Sequence, residues 1–541
     1  MGISTRVRQI GEHVRMVMGA PSLRPLRVAA FLGMALAGMA FATVAFAIKD
    51  PTNQGRWEKA GGNPPDKEVP GFLVNLGPTG ARAVLTEKTF VVKYIFRGSP
   101  AAGKLKVGDV IQGCFGMPFA KHTFGGGPHG YEGPIMDMGM AIERAEAKDG
   151  KLALNVLRNS KTIQVDVSLE RLGAFSPTFP VNCKKSKLLR ERALKYLAGT
   201  PAAHGGASHT RMAVALALLT SDEPAQQALG ADLIKRWSKE LPNSGTWTWD
   251  LSHQTIALSE YCLISRDVSV LPAIRHVVDL IQKAQYSGHI VCWPLDGFKG
   301  TPPAKIDAAQ QLYDGGFGHE PYRPGLNKNG YGPMQYTTIL AVIARQVAAQ
   351  CKVPIDADKL KRSMAFIHRG TNEAGYVAYG GEFTMNNGLV DPIQWKASHD
   401  GDNYVGRVGC AIVGHQLCPE LPDSAMYLAR YRSFVKQAYK SMPDGHADSN
   451  LGLFWGTVGA AASKDPTVLR TVLDYHKAWF NMMRCPDGSF VLLPGRDYAD
   501  DGYYGASRFH PTATMALAFG LARPRLRIQG VKTEKAPPKS P

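Results

Sequence analysis

The sequence predicts a multidomain protein in which a small α+β domain precedes a large all-α domain built from helical repeats. The chain has 541 residues, which is more than one ordinary hydrophobic core accommodates, so two or more domains are expected. Residues 69–172 alternate apolar and polar positions as strands do, whereas residues 187–525 follow the period of amphipathic helices. Segments 48–68 and 173–186 are expected to be linkers.

The N-terminal 47 residues have the pattern of a secretory signal peptide. Five arginines lie in the first 27 residues, and an uncharged apolar run follows over residues 28–47. The run ends in Ala45-Phe46-Ala47, the small-x-small pattern that a signal peptidase requires. An uncleaved membrane anchor is the alternative, because the run is near the length that spans a bilayer. In both cases the remainder is expected to be exported, either periplasmic or secreted, and to touch the membrane only through an uncleaved leader.

The net charge of +18 bears on which classes of macromolecule are expected as partners. The leader carries five arginines and one glutamate, so the exported part keeps about +14 of this charge. A basic exported protein can associate with an acidic envelope polymer, lipid headgroups or acidic polysaccharide, and a solvated basic surface with no specific partner is an equal alternative. Nucleic acid is not an expected partner, because the predicted address is outside the cytoplasm and no nucleic-acid-binding motif is present.

The eight cysteines are scattered along the chain, and no two of them form a C-x-x-C pair. This spacing predicts no metal site. An exported address permits disulfides, whereas buried free thiols are the alternative for cysteines inside apolar helical runs. The eight residues are Cys114, Cys183, Cys262, Cys292, Cys351, Cys410, Cys418 and Cys485.

The smaller domain resembles a known peptide-binding module. Its β-branched strand at 89–96 breaks at Gly98-Ser99-Pro100 and continues into the stretch 101–111, which reads A-A-G-K-L-K-V-G-D-V-I. A short helix is predicted at 138–147, followed by paired strands at 152–156 and 163–167. This order, and the G-S-P-A…L-K-V-G-D-V-I stretch above all, resembles the PDZ domains of bacterial envelope proteins over about a fifth of the chain.

The resemblance to PDZ domains implies that a protein C-terminus or an extended peptide adds as a strand beside a helix, with its carboxylate held by backbone amides. A PDZ-like domain that packs against its neighbour and binds no free peptide is the alternative. The matching loop in this sequence comprises Leu76, Gly77, Gly80 and Ala81, with Arg82 available to an anion.

The larger domain contains six copies of one cue, a glycine-rich or Gly-aromatic turn followed by an Ala/Leu-rich helix. Such repetition predicts an array of helical hairpins, and about six pairs suffice to close a ring. The cues lie at residues 204–206, 245–250, 314–319, 375–379, 444–448 and 486–490.

The D-G-G-F and P-D-G-S-F turns with their T-x-x-A-L helices resemble the α/α toroid of terpenoid cyclases and protein prenyltransferases. Together with the signal peptide and the PDZ-like domain, they resemble a family of exported bacterial proteins with no assigned function. The resemblance covers residues 187–525, and the Lys/Pro-rich tail, residues 526–541, is expected to be disordered.

The resemblance to the toroid implies that the loops entering the inner helices converge at one mouth of a central cavity. Those loops are rich in Asp, His and aromatic residues. Paired carboxylates can supply a general acid and a general base, and the alternative is that each residue only caps a helix or closes a turn. The candidate catalytic residues are Asp500, Asp501 and His510, then Asp400 and Asp402, and the candidate ligand-contacting residues are Asp250, His253, His319, Tyr322, His446, Asp448, Trp249, Trp455 and Tyr503.

These observations lead to three functional hypotheses, and whether the chain is an enzyme stays open. The first is an exported protein that binds a protein segment through its PDZ-like domain and a ligand or polymer in the toroid. The second is an envelope hydrolase or lyase acting on polysaccharide. Terpenoid-type chemistry ranks last, because the cyclase motif D-x-D-D is replaced by Asp497-x-x-Asp500-Asp501. The sequence identifies no cofactor.

Overall fold

The computed structural model describes residues 72–122, 131–287, 313–321, 333–378, 383–384, 388–389, 405–442, 449–492 and 508–532. The predicted signal peptide and the first predicted linker lie outside these residues. The predicted fold class is confirmed, since a small antiparallel sheet domain precedes a large helical domain.

The sheet domain is an antiparallel sheet with strand order β1-β2-β3-β4-β6-β7, to which β5 adds beside β4. A helix, α1 (Pro134–Ala147), packs on β4 and β6. Strands β6 and β7 join through Asn159 and Ser160, whose positive φ angles of 49° and 60° are typical of a tight two-residue hairpin turn. The strands are β1 (Phe72–Asn75), β2 (Ala81–Leu85), β3 (Phe90–Ile95), β4 (Val110–Cys114), β5 (Met117–Pro118), β6 (Lys151–Arg158) and β7 (Lys161–Ser168).

The helices of the helical domain alternate along the chain between two kinds. Those of the second kind contact one another in a circuit, and those of the first kind lie outside this circuit. The first kind is α2 (Lys184–Gly199), α4 (Pro224–Trp237), α6 (Leu271–Ala284), α8 (Ala357–Arg369), α10 (Ser424–Ala438) and α12 (Pro466–Met483). The second kind is α3 (Ser208–Leu219), α5 (Thr248–Ser265), α7 (Gln335–Gln350), α9 (Val405–Gln416), α11 (Ser449–Ala462) and α13 (Phe509–Phe519). A short antiparallel pair, β8 (Phe383–Thr384) with β9 (Gly388–Leu389), belongs to the same region.

Helices of the second kind form a closed circuit of contacts, which we call the helical ring. In chain order from α3, each contacts the next, and α13 contacts α3 again. Every residue of α5 from Leu251 to Cys262 is buried, as expected for a helix covered on all sides. By contrast, α6 buries Ala273, Ile274, Val277, Val278 and Ile281 on one face only, as expected for an outer helix.

The backbones of neighbouring ring helices approach closely where glycines meet. A Cβ atom added to Gly409 of α9 would lie 2.2 Å from the carbonyl oxygen of Trp455 on α11. A Cβ atom added to Gly459 of α11 would lie equally close to the carbonyl oxygen of Gly409. Only glycine has no Cβ atom, so these positions let two helices pack backbone against backbone.

The C-terminal end of the ring is closed by the segment after α13. The Glu260 carboxylate on α5 accepts hydrogen bonds from the backbone N–H groups of Arg527 and Ile528, both at 2.9 Å. Leu526 and Ile528 are fully buried. The prediction of a disordered tail from residue 526 is therefore wrong for residues 526–529, because the ring buries their apolar side chains.

The sheet domain is joined to the outer helix α12 by a buried set of charged and polar residues, which we call the junction ion cluster. Glu146 on α1 forms two hydrogen bonds of 2.8 Å with the guanidinium of Arg484, which follows α12. Lys185 on α2 forms ion pairs with Glu143 and Glu146. Asn481 on α12 donates to the Glu143 carboxylate at 2.8 Å. Two cations thus neutralise two carboxylates in the interior.

Candidate functional site

Three histidines from three ring helices meet at the N-terminal end of the ring. His209 lies in the first turn of α3, His253 in the second turn of α5 and His510 in the first turn of α13. The ring centroids of His209 and His510 are 4.9 Å apart, and those of His209 and His253 are 6.1 Å apart. We call these three residues the imidazole cluster. All three are buried, so the cluster lies inside the protein and not on its surface.

One member of the imidazole cluster is paired with a serine hydroxyl. The Oγ atom of Ser208, the first residue of α3, lies 3.0 Å from Nδ1 of His253. Ser208 is partly exposed, whereas His253 is only 1% exposed. The other ring nitrogen of His253, Nε2, has no hydrogen-bond partner among the described residues. A buried nitrogen left in this state costs about 1–3 kcal/mol, so it is a natural contact point for a ligand.

Burial keeps two histidines of this region, His253 and His319, uncharged. Burial, and then the neighbouring His209, lower the pKa of His253 well below its ordinary value. Burial also lowers the pKa of His319. At neutral pH both side chains are therefore neutral imidazoles, the form that accepts a proton.

A line of aromatic rings leads from the surface towards the imidazole cluster. It begins at Trp247, which is 50% exposed and lies 5.8 Å from the ring of His319. Trp249 lies 5.9 Å beyond His319 and donates its indole N–H to His319 Nδ1 at 2.8 Å. From Trp249 the line continues to His253 at 6.3 Å and to Tyr336 at 5.3 Å. We call this line, Trp247–His319–Trp249–His253, the aromatic track.

The turns that begin the ring helices position these side chains. The backbone N–H of Thr248, the first residue of α5, donates to the carbonyl oxygen of His319 at 2.9 Å, which joins two cue segments. Residue Phe317 pairs with Met334 just before α7. The repeated turn therefore brings the starts of consecutive ring helices side by side.

The structure brings together only part of the set predicted from the sequence. His253, His319, His510 and Trp249 lie in this region, and Trp455 packs against Phe454, whose ring is 6.0 Å from that of His510. Asp250 is exposed in the first turn of α5, where a carboxylate favours the helix dipole. The predicted residues outside the described part of the chain are Asp400, Asp402, Asp500, Asp501, Tyr322, His446, Asp448 and Tyr503.

Ser208 and His209 are site residues that the sequence interpretation missed. They follow the first glycine cue and begin a ring helix, as His510 does after the last cue. The same position relative to the cue is the signal that could have identified them.

The loop predicted to hold a peptide carboxylate is covered by the helical domain. Leu76, Ala81 and Arg82 are buried, and a Cβ atom on Gly77 would lie 2.7 Å from the carbonyl oxygen of Asn481. At the other end of the loop, a Cβ atom on Gly80 would lie 2.2 Å from Cβ of Ser99 and 3.1 Å from Pro486 in the turn after α12. Peptide binding stays a prediction, and the covered loop favours the alternative of a domain that packs against its neighbour.

The pairing of the strands is a second reason to favour a sheet domain that packs against its neighbour and binds no free peptide. Strand β2 follows this loop, so a peptide held by the loop would lie beside β2, but β2 is hydrogen-bonded to β1 on one edge and to β3 on the other. An added strand needs a free edge.

Three further findings concern the described residues alone. They contain no group of three or more His, Cys, Asp or Glu side chains arranged to hold a metal ion. None of their helices combines the length and the apolar character needed to cross a membrane. Their seven cysteines are all buried free thiols, and Cys292 lies outside this part of the chain.

Comparison with known proteins places the helical domain in a family. Neither the curated proteins nor the solved structures contain a match to this chain. A family model, Domain of unknown function (DUF6288), matches residues 186–303 and 302–530, which is more than half of the chain and covers the helical domain. The chain therefore belongs to the family defined by this domain of unknown function.

Proposed function

We propose that the helical domain is an α/α toroid of an exported protein, and that it binds an acidic saccharide polymer at the N-terminal end of the ring. The aromatic track is the single observation that carries this proposal. It presents an exposed indole to solvent and leads inward through half-buried and buried rings. Aromatic faces stack on the apolar faces of sugar rings, and the indole N–H of the exposed Trp247 would donate to a hydroxyl group.

The charge of the chain supports the acidic character of the polymer. Without the predicted leader the chain keeps a net charge of about +14, so the protein attracts polyanions at long range, and salt weakens this attraction. Charge alone gives no discrimination among polyanions. The aromatic track would supply that discrimination, because stacking depends on the shape of each sugar ring.

A second candidate function is hydrolysis or elimination on the bound polymer. The observation that favours it is the neutral state of the buried His253 imidazole, which lies 3.0 Å from Ser208 Oγ, because a general base must be unprotonated before it acts. His253 with Ser208, beside His209 and His510, would then exchange protons with the sugar. Peptide binding by the sheet domain is not part of this proposal, because β2 is paired on both edges.

The test compares polymer binding by the wild type, Trp247→Ala and Val268→Ala. Val268 is a control because it is an exposed apolar residue beyond the other end of α5. Each protein would be run through gels containing polygalacturonate, which is acidic, or dextran, which is neutral. We expect polygalacturonate to retard the wild type and Val268→Ala, and Trp247→Ala to bind about tenfold more weakly.

Two results would contradict the proposal. Equal retardation of all three proteins would show that the basic surface binds without the aromatic track. If neither polymer retards the wild type, the proposal that the protein binds a saccharide polymer is wrong. For the second candidate, new reducing ends or unsaturated uronates formed by the wild type and lost in His253→Gln would support chemistry, and their absence from the wild type would exclude it.

A further inference from the structure

We propose that Ser208 is a nucleophile activated by His253, and that the pair hydrolyses acyl esters carried by the saccharide. The ester as substrate class rests on the proposed function, whereas the reactivity of Ser208 is independent of it. The basis is the 3.0 Å contact between the serine hydroxyl and a neutral imidazole nitrogen. A hydroxyl within hydrogen-bond reach of a base is the arrangement from which serine nucleophiles act.

The burial of the two residues suits their separate roles. Ser208 is partly exposed, as a nucleophile must be to meet a substrate that approaches from the surface. His253 is almost completely buried, so bulk water cannot compete for its Nδ1 atom. Ser259 lies on the same helix as His253 but away from the cluster. It is fully buried and has no imidazole contact, so it lacks both features that Ser208 has.

Besides a nucleophile and a base, acyl transfer requires groups that stabilise negative charge. The position of Ser208 at the start of a helix supplies such groups. Ser208 is the first residue of α3, and the bond from Arg211 N–H to the Ala207 carbonyl oxygen is the first of its helical turns. The backbone N–H groups before Arg211 therefore have no acceptor within the helix. Such groups, next to the attacking oxygen, stabilise the oxyanion that forms during acyl transfer.

The reaction has two balanced steps. In the first, Ser208 Oγ bonds to the ester carbonyl carbon while its proton passes to His253 Nδ1, and the carbon–oxygen ester bond breaks. The saccharide hydroxyl leaves with the proton that His253 received. In the second, water attacks the acyl-serine, its proton again passes through His253, and a carboxylic acid leaves as Ser208 is restored. Water is the only co-reactant.

The test is covalent labelling of the full-length protein with a fluorophosphonate, read by mass spectrometry of the intact chain and its peptides. We expect one adduct, on the peptide containing Ser208, and none in Ser208→Ala. His253→Gln keeps a polar side chain but cannot take the proton, and we expect it to label about 100-fold more slowly. Ser259→Ala is the matched control and should label as the wild type does.

The pH dependence separates a base-assisted serine from an ordinary hydroxyl. Because His253 is already unprotonated at neutral pH, the labelling rate should be constant between pH 6.5 and 8. A hydroxyl without a base would react faster with each step in pH. A rising rate, a missing adduct, or equal rates for His253→Gln and the wild type would each overturn the proposal.

The substrate is tested separately with acetylated and deacetylated polygalacturonate. Acetate released from the acetylated polymer by the wild type, and not by Ser208→Ala, would support the ester as substrate. Labelling of Ser208 without acetate release would contradict this ester substrate and leave the nucleophile in place. Because labelling needs no polymer, its failure is distinct from a failure of saccharide binding. Thermal unfolding of each variant would show that the substituted proteins are folded.

Discussion

The junction ion cluster and the imidazole cluster are both buried and polar, but they differ in how completely their groups are paired. At the junction, Glu146 receives two bonds from Arg484 and an ion pair from Lys185, and Asn481 joins the network. Burial raises the pKa of Glu146, but Arg484 and Lys185 outweigh burial, so the pKa lies below its ordinary value. Its charged form is therefore the one that the structure stabilises.

The imidazole cluster shows the opposite pattern. The Nε2 atom of His253 has no partner among the described residues, and the pKa of this histidine is lowered by burial and by a second imidazole. The uncharged form is the one that the fold favours here. The pairing at the junction accounts for all the charge it buries, whereas one ring nitrogen of His253 in the imidazole cluster has no partner within the described part of the chain.

The comparison teaches that buried polarity has two uses in this molecule. A fully paired cluster holds two domains in one relative position and loses much when one partner is removed. A buried nitrogen with no partner among the described residues, such as His253 Nε2, contributes little to folding, and the proposed function makes it a contact for a ligand. Substitutions in the two regions should therefore separate stability from function.

The largest effect is expected from Arg484→Met, which removes a cation and leaves Glu146 with reduced compensation in the interior. Breaking a buried pair in this way costs about 3–5 kcal/mol of unfolding free energy. Urea unfolding would measure the loss. Arg192→Ala is the control, because its ion pair with Glu170 is exposed and is worth less than about 1 kcal/mol. Equal losses of unfolding free energy in Arg484→Met and Arg192→Ala would contradict the expected difference between a buried and an exposed ion pair.

A somewhat smaller effect is expected from Gly139→Ala, at the contact of α1 with α12. The added Cβ atom would lie 2.2 Å from the carbonyl oxygen of Ala478, so the two helices must separate. We expect a loss of about 2–3 kcal/mol in urea unfolding. Gly199→Ala, at the end of α2 where no atom lies within 4 Å of the new Cβ, should be neutral or slightly stabilising. An unchanged unfolding free energy in Gly139→Ala would mean that α1 and α12 can separate at little cost.

Acid should weaken the fold through its buried histidines. Burial lowers the pKa of His476, on α12 near the junction, to about 4. A histidine whose folded pKa lies below its unfolded value adds stability above the unfolded pKa and loses it as the pH falls. Between pH 7.5 and 5 this single group should cost about 2 kcal/mol.

The measurement is urea unfolding at both pH values for the wild type and His476→Gln, which cannot titrate. The variant should lose about 2 kcal/mol less than the wild type on acidification. Glu260 changes stability with the opposite sign, because burial raises its pKa to about 7 and its protonation favours the fold as the pH falls. Since Glu260 is present in both proteins, its contribution cancels in the difference. An identical acid loss in both proteins would contradict the prediction.

The smallest effect on stability is expected at the imidazole cluster. His253→Leu replaces a buried ring that has an unpartnered nitrogen with an apolar side chain of similar size. We expect the unfolding free energy to change by less than about 1 kcal/mol, while fluorophosphonate labelling of Ser208 is lost. A loss of several kcal/mol would show that His253 is a structural residue, like those of the junction.

The sequence predicted the order and type of the domains well, because periodicity reports which faces of a strand or helix are buried. The alternation in 163–167 corresponds to β7, and the apolar helix after the cue at 245–250 corresponds to α5. The segment Leu76–Arg82, predicted as a carboxylate-binding loop, connects β1 to β2 in the structure, with Ala81 and Arg82 at the start of β2. That the loop is covered by α12 depends on residues some 400 positions away, which no local pattern reports.

The candidate site was predicted in part for the same reason. His253 and His510 were identified because they lie near the starts of helices after recognisable turns, and His319 because it ends one of these turns. Ser208 and His209 lie at the same kind of position, but their turn lacks an aromatic residue. Which of these side chains meet was decided by the contact of α13 with α3 and of α3 with α5.

The sequence by itself determined the two domains, the repeated hairpins of the larger one and the position of polar residues at helix starts, since all of these depend on local spacing and turn chemistry. Only the tertiary structure decided that α13 returns to α3, that the sheet domain is held by α12, and that Ser208 and His253 are in contact. These outcomes depend on closure of the ring and on burial of charge between distant segments, and both are set by packing.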